Sequence, residues 1–323
     1  MSKFHLRWIF KSVVMVGLLY FLLRKVQLQP LIEALRRANP SFLAIAVVVG
    51  VAMVVVRVYK WQALLHRLPA TVAPHPVSFR QAWASVLGGL AFGLITPARA
   101  GELGRIAFLP PATRTLAGGL FIVDRSIDLV TILMLALAGS AGVLTVGWQI
   151  ILGTTLLFLV GGVLLWPILL PWMLGWLPLP VKLRRILSEL VTGLQALRLR
   201  DLGWNLCLGC ALMVLDVISL YVLVATFEPV SFKAVTFAFP LILLTNLVPI
   251  TPGGIGVRES ASVFLFRQFG VSQAAAIYSA LFLYILNSLL PGLWGITYVR
   301  KLGAHPSAVD SSPPEKISEV TLS

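Results

Sequence analysis

Long, uncharged, apolar runs restrict this chain to a fold that crosses a membrane. Three of them are Ala38 to Val56, Leu129 to Val181 and Gln268 to Val299. A helix needs about 20 apolar residues to span a bilayer, so the second run is long enough for two spans. Only 12% of the residues are charged, against about 25% in a soluble domain. We predict an all-α, polytopic helical membrane protein.

Two matching breaks interrupt the apolar pattern. Residues 96–102 read Thr-Pro-Ala-Arg-Ala-Gly-Glu, and residues 251–256 read Thr-Pro-Gly-Gly-Ile-Gly, followed by Val257, Arg258 and Glu259. Helix-breaking residues beside ionisable ones, recurring in both halves of a membrane protein, point to a binding site at a repeat interface. We interpret the following residues as the hinges of the two breaks: Pro97, Gly101, Pro252, Gly253, Gly254 and Gly256.

The distribution of basic residues predicts the orientation of the chain. The net charge is +14, but Lys and Arg stand at the ends of the apolar runs instead of forming one basic face. This pattern follows the positive-inside rule, so we predict no nucleic-acid partner. We expect an inner (cytoplasmic) membrane protein with cytosolic N- and C-termini. Four basic residues lie N-terminal to the run from Ala38, between the first two predicted spans, and oppose this orientation: Arg24, Lys25, Arg36 and Arg37.

This orientation places the first break on the cytosolic side and the second on the outer side. We predict about six full spans, the first from about Trp8 to Val26, and two broken re-entrant hairpins in inverted repeats, as in alternating-access transporters. Alternatively, each hairpin consists of two short full spans joined by a Pro-Gly turn. The transmembrane domain covers residues 1–303, and residues 304–323 form a cytosolic tail that we predict to be disordered, since it has no apolar periodicity.

Four separated groups of polar residues carry a family resemblance. They are Arg57 with Lys60 and Trp61, the first break extended to Arg105, Asp124-Arg125-x-x-Asp128, and the second break extended from Asn246 to Glu259. On these motifs, nearly the whole chain resembles the lysylphosphatidylglycerol synthase transmembrane-region family, a flippase-like membrane domain. The resemblance implies movement of lipids between leaflets. Some members carry a soluble aminoacyl transferase; this chain ends in a short tail, so we expect a stand-alone member without lysine transfer.

The charged residues near the breaks form the predicted substrate-binding site. A charge near the bilayer centre costs about 2.5–3.5 kcal/mol on insertion scales, so it usually faces a cavity or a partner. Half-helix N-termini also suit a phosphate. We predict head-group binding, with Arg105 and Arg258 as phosphate contacts; alternatively, the charges are staples that hold broken helices together. The candidate residues are Arg57, Glu102, Arg105, Asp124, Arg125, Asp128, Asn246, Arg258 and Glu259.

Three carboxylates suggest proton coupling of transport. Asp124 and Asp128 are one turn apart and share a helix face, and Asp216 stands alone in an uncharged run. Either position is a candidate proton carrier. Alternatively, Asp216 forms a hydrogen bond between helices, and the pair forms an interfacial cap and salt bridge. Asn246 and Asn287 are candidates to satisfy backbone groups freed by the breaks, because unpaired backbone is not tolerated in lipid.

An enzymatic function is the alternative to transport. Asp124-x-x-x-Asp128 resembles half of an aspartate-rich, magnesium-binding pattern that clamps a diphosphate, but a second such cluster is absent from the sequence, as are the P-loop, zinc-protease and serine-hydrolase motifs. We therefore predict a flippase or transporter of an anionic or phosphate-bearing (phospho- or isoprenoid-linked) lipid, with membrane lipids as partners and no metal or cofactor. A membrane-embedded lipid-modifying enzyme, or a non-catalytic partner of one, remains the alternative, and the oligomeric state is open.

Overall fold

All regular structure in the described part of the protein is helical. The computed structural model describes residues 36, 39–73, 75–94, 96, 99–140, 144–176, 180–245 and 257–304, and these ranges contain no β-strand. The all-α prediction is therefore confirmed. The predicted first span, Pro97, the second break with Asn246, and the tail beyond residue 304 lie outside the described residues.

Helices of very different lengths make up the bundle. A 3-10 helix over Ala100–Phe108 and a short 3-10 turn over Pro111–Thr113 lie between α2 and α3, and a π-helical turn over Ile285–Leu289 joins α9 to α10. The α-helices are α1 Pro40–Leu65, α2 Phe79–Leu94, α3 Arg114–Gly139, α4 Val146–Trp176, α5 Val181–Gln195, α6 Leu199–Ala225, α7 Phe232–Leu244, α8 Val257–Arg267, α9 Gln273–Tyr284 and α10 Leu290–Ala304.

Four described helical segments are long and apolar enough to cross a bilayer: Pro40–Leu65, Val146–Leu165, Leu199–Ala225 and Gln273–Arg300. Helix α3 also has 26 residues, a length of roughly 39 Å, but it carries three charged residues in its middle. The long run from Leu129 is divided as predicted, because α3 ends at Gly139 and α4 begins at Val146. The protein is a polytopic helical membrane protein.

Helices α1 and α6 run antiparallel along each other. Their packed ends are fixed by Arg67, just after α1, whose Nη2 lies 2.7 Å from Oδ1 of Asp201 in the first turn of α6. The other oxygen of Asp201 accepts the backbone N–H of Arg198 at 3.0 Å, which caps α6. Asn205 then donates to the carbonyl of Lys60 at 3.2 Å. These contacts set the register of α1 against α6.

The buried apolar residues form two main cores, one in each half of the chain. The first core joins α1, α2 and α3, with Trp61, Leu87 and Leu120 fully buried. The second core joins α6 and α7 to α8 and α9, with Leu223 and Phe239 fully buried. Each half of the chain therefore has its own packed interior.

The two halves also contact each other reciprocally. Helix α3, which follows the first break, packs on α7 of the second half, and Gly139 leaves no room for a Cβ against the carbonyl of Thr236. Helix α10, which follows the second break, packs on α2 of the first half, and Gly295 leaves no room for a Cβ against the carbonyl of Leu87. Each half therefore supports, through a helix C-terminal to its own break, the short helix before the break of the other half.

Helix α5 docks on the N-terminal half of α3. Gly193 approaches the carbonyl of Leu116, and Gly119 approaches the carbonyl of Leu190, so backbone meets backbone at both positions. Val191 is buried in this contact, whereas Arg184 is exposed. One face of α5 therefore packs against the protein.

Candidate functional site

The first break is shaped by Thr96 and Gly101. The Thr96 hydroxyl donates to the carbonyl of Phe92 in the last turn of α2 at 3.2 Å, and it accepts the backbone N–H of Gly101 at 2.7 Å. One hydroxyl therefore joins the end of α2 to the start of the 3-10 helix. A Cβ at Gly101 would collide with the Phe92 carbonyl. These contacts explain why the motif needs Thr and Gly five positions apart.

Arg99 turns the chain between these two helices. Its φ of 56° and ψ of 24° are left-handed, and it is the one non-glycine residue with positive φ among those described. This conformation costs roughly 1–2 kcal/mol for a residue with a Cβ, and the cost is offset by an ion pair from Arg99 Nε to Oε1 of Glu102 at 2.7 Å. The strain therefore lies at a residue that also carries charge into the site.

A glycine face on α2 admits the 3-10 helix. A Cβ added at Gly89 would lie 2.8 Å from Cβ of Arg105, and one added at Gly93 would lie 2.9 Å from Cγ of Glu102. Real Cβ atoms do not approach so closely without movement of the neighbour. The small residues of α2 thus position Glu102 and Arg105 in the interior of the protein.

These side chains meet α1 and α3 in what we call the charge cluster. Asp124 on α3 accepts Lys60 Nζ from α1 at 2.5 Å and Arg105 Nη1 at 3.0 Å. Arg105 Nη2 lies 3.1 Å from Glu102, and Lys60 also contacts Asp128 at 2.7 Å. The charge cluster comprises Lys60, Arg99, Glu102, Arg105, Asp124, Arg125 and Asp128.

Arg125 closes the charge cluster on its open side. It lies 3.2 Å from Glu102, 3.1 Å from Asp124 and 3.1 Å from Asp128. Its side chain is 37% exposed, that of Asp128 is 24% exposed and that of Arg99 is 30% exposed, whereas the other members are nearly fully buried. With four cations and three carboxylates, the charge cluster has one excess positive charge, and its exposed members are the ones a ligand reaches first.

Arg105 is fixed by two aromatic rings and two carboxylates. Its guanidinium lies between Trp61 and Phe121, 5.1 and 4.9 Å from their ring centres, and it pairs with Glu102 and Asp124. The side chain has no exposed surface. A phosphate reaches this guanidinium only by displacing its carboxylate partners. The geometry therefore favours the staple alternative for Arg105 over the predicted phosphate contact.

A second polar group lies where α1 and α6 approach the π-helical turn. The amide of Asn287 donates to Oδ1 of Asp216 at 3.0 Å, and the backbone carbonyl of Asn287 accepts Arg57 Nη1 at 3.5 Å. Asp216 therefore makes the interhelical hydrogen bond considered from the sequence. The amide of Asn287 bonds a carboxylate, which differs from the expected role of satisfying freed backbone groups. π-Helical turns often mark functional positions.

Arg258 lies in the first turn of α8, directly after the second break. It is only 5% exposed, its guanidinium stacks 4.8 Å from the ring centre of Tyr284, and its Nη2 is 3.8 Å from Glu259. Among the described residues, neither Nε nor Nη2 of Arg258 has a hydrogen-bond acceptor, and the Tyr284 hydroxyl has no partner. A buried arginine normally binds its donors to an anion or a carbonyl.

The charge of Arg99 acts on residues of both halves of the chain. It acts on Arg57 and Asp216 and also on Arg258 and Tyr284, in addition to its ion pair with Glu102. Side chains beside the π-helical turn and in the first turn of α8 therefore lie within range of the charge of Arg99, and we call this neighbourhood the polar region. Arg99 repels Arg57 and Arg258, and an anion that lies among the three arginines reduces this repulsion.

The predicted residues thus fall into three groups. Glu102, Arg105, Asp124, Arg125 and Asp128 lie in the charge cluster, with Gly101 at its edge. Beside the charge cluster lie Arg57, Arg258 and Glu259. The remaining predicted residues lie outside the described part of the chain: Asn246, Pro97, Pro252, Gly253, Gly254 and Gly256. The predicted site omitted Lys60, Arg99 and Tyr284. Lys60 was detectable from its place in the first motif, one turn after Arg57, whereas nothing in the sequence singles out Tyr284.

Comparison with known proteins places the chain in a family. No curated protein matches it significantly. The family model described as "Lysylphosphatidylglycerol synthase TM region" matches residues 8–295 of the 323, which confirms the resemblance seen in the motifs. The chain therefore belongs to the lysylphosphatidylglycerol synthase transmembrane-region family, a family of membrane domains associated with lipid handling.

Proposed function

We propose that this protein is a lipid flippase that moves an anionic or phosphate-bearing lipid between the leaflets of the inner membrane. The observation that carries the proposal is the environment of Arg258, a buried guanidinium whose Nε and Nη2 have no acceptor among the described residues. These two nitrogens lie on one edge of the guanidinium and form a fork that matches two oxygens of a phosphate. A lipid head group supplies those oxygens.

Short helices on both sides of the breaks support an alternating-access architecture. Helices α7 and α8 have 13 and 11 residues, or roughly 20 and 17 Å, well short of the roughly 30 Å hydrocarbon core. Helix α2 has 16 residues, roughly 24 Å. We interpret α2 with the 3-10 helix, and α7 with α8, as the two re-entrant hairpins of inverted repeats within a domain of residues 1–303. The reciprocal packing of α3 on α7 and of α10 on α2 supports this interpretation.

The substrate head group binds between the two breaks. Arg258 contributes the edge formed by Nε and Nη2, Arg57 adds positive charge, and the charge cluster, which includes Arg99, contributes its excess positive charge. The partly exposed Arg125 and Asp128 form the wall next to Arg99, while Glu259 orients Arg258 from the same turn. The acyl or isoprenoid tails remain in the lipid phase, so only the head group crosses the polar region.

The enzymatic alternative has less support. Both carboxylates of the candidate magnesium pattern, Asp124 and Asp128, are paired with Lys60 and Arg125. A magnesium ion would need to replace these cations, and Mg²⁺ is held mainly by free carboxylates and water. The same ion pairs suit a scaffold that keeps α1 and α3 together while other parts of the site change position.

Leaflet exchange in liposomes tests the proposal. Purified protein is reconstituted with head-labelled phospholipids or an isoprenoid phosphate, and lipid masses are measured afterwards. We expect faster exchange of a phosphate-bearing lipid without a change of mass. Arg258→Ala lowers the rate roughly tenfold or more, because charge-assisted hydrogen bonds contribute about 1.5–3 kcal/mol each. The matched control is Arg267→Ala, which removes an exposed arginine from the other end of α8.

Each other outcome counts against a part of the proposal. A new lipid mass would establish an enzyme. Equal exchange by wild type and Arg258→Ala would remove Arg258 from the site. Lack of exchange for every lipid, from protein that elutes as a folded species, would favour a non-catalytic partner of a lipid enzyme.

A further inference from the structure

Asp216 differs from the other buried carboxylates that the structure describes. Glu102, Asp124 and Asp201 each form an ion pair with an arginine or lysine. Asp216 is only 9% exposed, and its described hydrogen bond comes from the neutral amide of Asn287. A buried carboxylate usually pairs with a cation or exchanges its charge for a proton. The absence of an ion pair among the described residues makes Asp216 the carboxylate best placed for proton exchange.

Asn287, the hydrogen-bond partner of Asp216, also contacts Arg57. Its Nη1 is 3.5 Å from the carbonyl of Asn287, longer than a well-formed hydrogen bond of 2.7–3.2 Å. The charges of Arg57 and Asp216 also act on each other. Asn287 therefore contacts the Asp216 carboxylate through its side chain and the Arg57 guanidinium through its backbone carbonyl. The long contact to the carbonyl does not hold Arg57 firmly.

We propose that Asp216 is a proton-binding site that controls Arg57 and couples lipid movement to a proton gradient; this inference rests on the proposed flippase function. When a proton from water adds to a carboxylate oxygen, Asp216 becomes neutral and no longer balances Arg57. Arg57 then binds a phosphate oxygen of the head group. Release of the proton restores the carboxylate, which attracts Arg57 and weakens the hold on the phosphate. Proton and phosphate are thus carried together, and the charge of one proton offsets that of one singly ionised phosphate.

The other groups around Asp216 fit this role. Arg99 from the first break and Asp128 from α3 act on it with opposite signs, and α1 contributes Arg57 and Lys60, of which Lys60 is bound to Asp124 and Asp128. Helices α9 and α7 also pack against α6: α9 carries Tyr278 and Tyr284, the latter next to Arg258, and α7 carries Lys233, which is exposed in its first turn. The protonation of Asp216 therefore changes the charge next to Arg57 without breaking an ion pair of the charge cluster.

Liposomes with a pH-sensitive dye inside test the coupling. We expect an imposed pH gradient to accelerate exchange of a phosphate-bearing lipid by the wild type and lipid movement to change the internal pH. Asp216→Asn mimics the neutral acid, so it exchanges lipid without responding to the gradient and without moving protons. Glu189→Gln, which removes a carboxylate of α5, serves as the matched control and responds like the wild type.

An infrared measurement separates this inference from the flippase function. At stepped pH values, wild type in detergent shows a protonated carboxyl band that appears and disappears, and Asp216→Asn lacks it. The infrared band does not depend on transport. If the wild type exchanges no lipid, the flippase proposal is overturned, and the band still shows whether Asp216 binds a proton. A band that persists in Asp216→Asn overturns the inference. A folded Asp216→Asn protein that loses all exchange, or one that keeps the gradient response, also overturns it.

Discussion

Lys60 on α1 and Asp124 on α3 form an ion pair of 2.5 Å with side chains only 2% and 3% exposed. The same lysine reaches Asp128 one turn further along α3, and its carbonyl accepts Asn205 from α6. Lys60 is therefore the point at which three long helices meet. Deletion of Lys60 removes the nearest cation of Asp124, and loss of a partner from a buried pair is far more costly than loss of an exposed pair.

The first prediction concerns stability at Lys60. We expect Lys60→Ala to lower the free energy of unfolding by about 3–5 kcal/mol, because Asp124 and Asp128 lose their lysine. Thermal unfolding in detergent, followed by helical circular dichroism, measures the effect. The control is Lys233→Ala at the exposed start of α7, which should change stability by less than about 0.5 kcal/mol. Equal stability of the two variants would contradict the role of Lys60 as the junction of the helices.

The second prediction separates the two arginines of the first break. Arg105→Gln removes a staple that holds two buried carboxylates, so it should lower thermal stability by several kcal/mol, as for a broken buried pair. Arg99→Gln removes a partly exposed charge and should lower exchange of phosphate-bearing lipid while costing roughly 1 kcal/mol or less of stability. Unfolding and liposome exchange are measured for both. The reverse pattern, in which Arg105→Gln unfolds like the wild type and only exchange falls, would favour the phosphate role for Arg105.

The structure shows which parts of the site the sequence can predict. The apolar runs predict α1, α6 and the helices after Leu129, and the spacing of Asp124 and Asp128 predicts their common face. Long-range pairing is not visible in such patterns, because Arg57 and Asn287 are 230 positions apart and Asp216 and Asn287 are 71 apart. The left-handed turn at Arg99 is equally hidden. It results from Thr96, Gly101 and the glycine face of α2 acting together.

The third prediction concerns that glycine face. Gly93→Ala places a methyl group 2.9 Å from Cγ of Glu102, so the 3-10 helix must move away from α2. We expect a loss of about 1–3 kcal/mol of stability, the usual cost of overpacking, together with slower lipid exchange. Gly153→Ala on α4 is the matched control, since nothing lies within 4 Å of its added Cβ. A Gly93→Ala protein as stable and active as this control would show that the close packing is dispensable.

The fourth prediction tests the reciprocal packing of the halves. Gly295→Ala on α10 and Gly139→Ala on α3 both force a methyl group against a carbonyl of the opposite half. If the halves are related by inverted repetition, we expect similar losses of stability and exchange from each, since they disturb equivalent contacts. Gly161→Ala, with nothing near its added Cβ, is the control for helix propensity. A large effect from one substitution and none from the other would argue that the two contacts are not equivalent.

The fifth prediction decides between re-entrant hairpins and pairs of short spans. Single cysteines are introduced by Ala100→Cys beside the first break and Val257→Cys beside the second, with Cys207 and Cys210 replaced by serine. Inverted re-entrant hairpins should make the first cysteine react with a membrane-impermeant reagent only from the cytosolic side and the second only from the outside, in oriented vesicles of opposite sidedness. If the cysteine at the first break instead reacts only from the outside and the one at the second break only from the cytosolic side, each hairpin consists of two short full spans. The turn between such spans emerges at the far surface. Reaction of both cysteines from the same face would contradict the inverted arrangement, and with it the alternating-access basis of the proposed lipid transport.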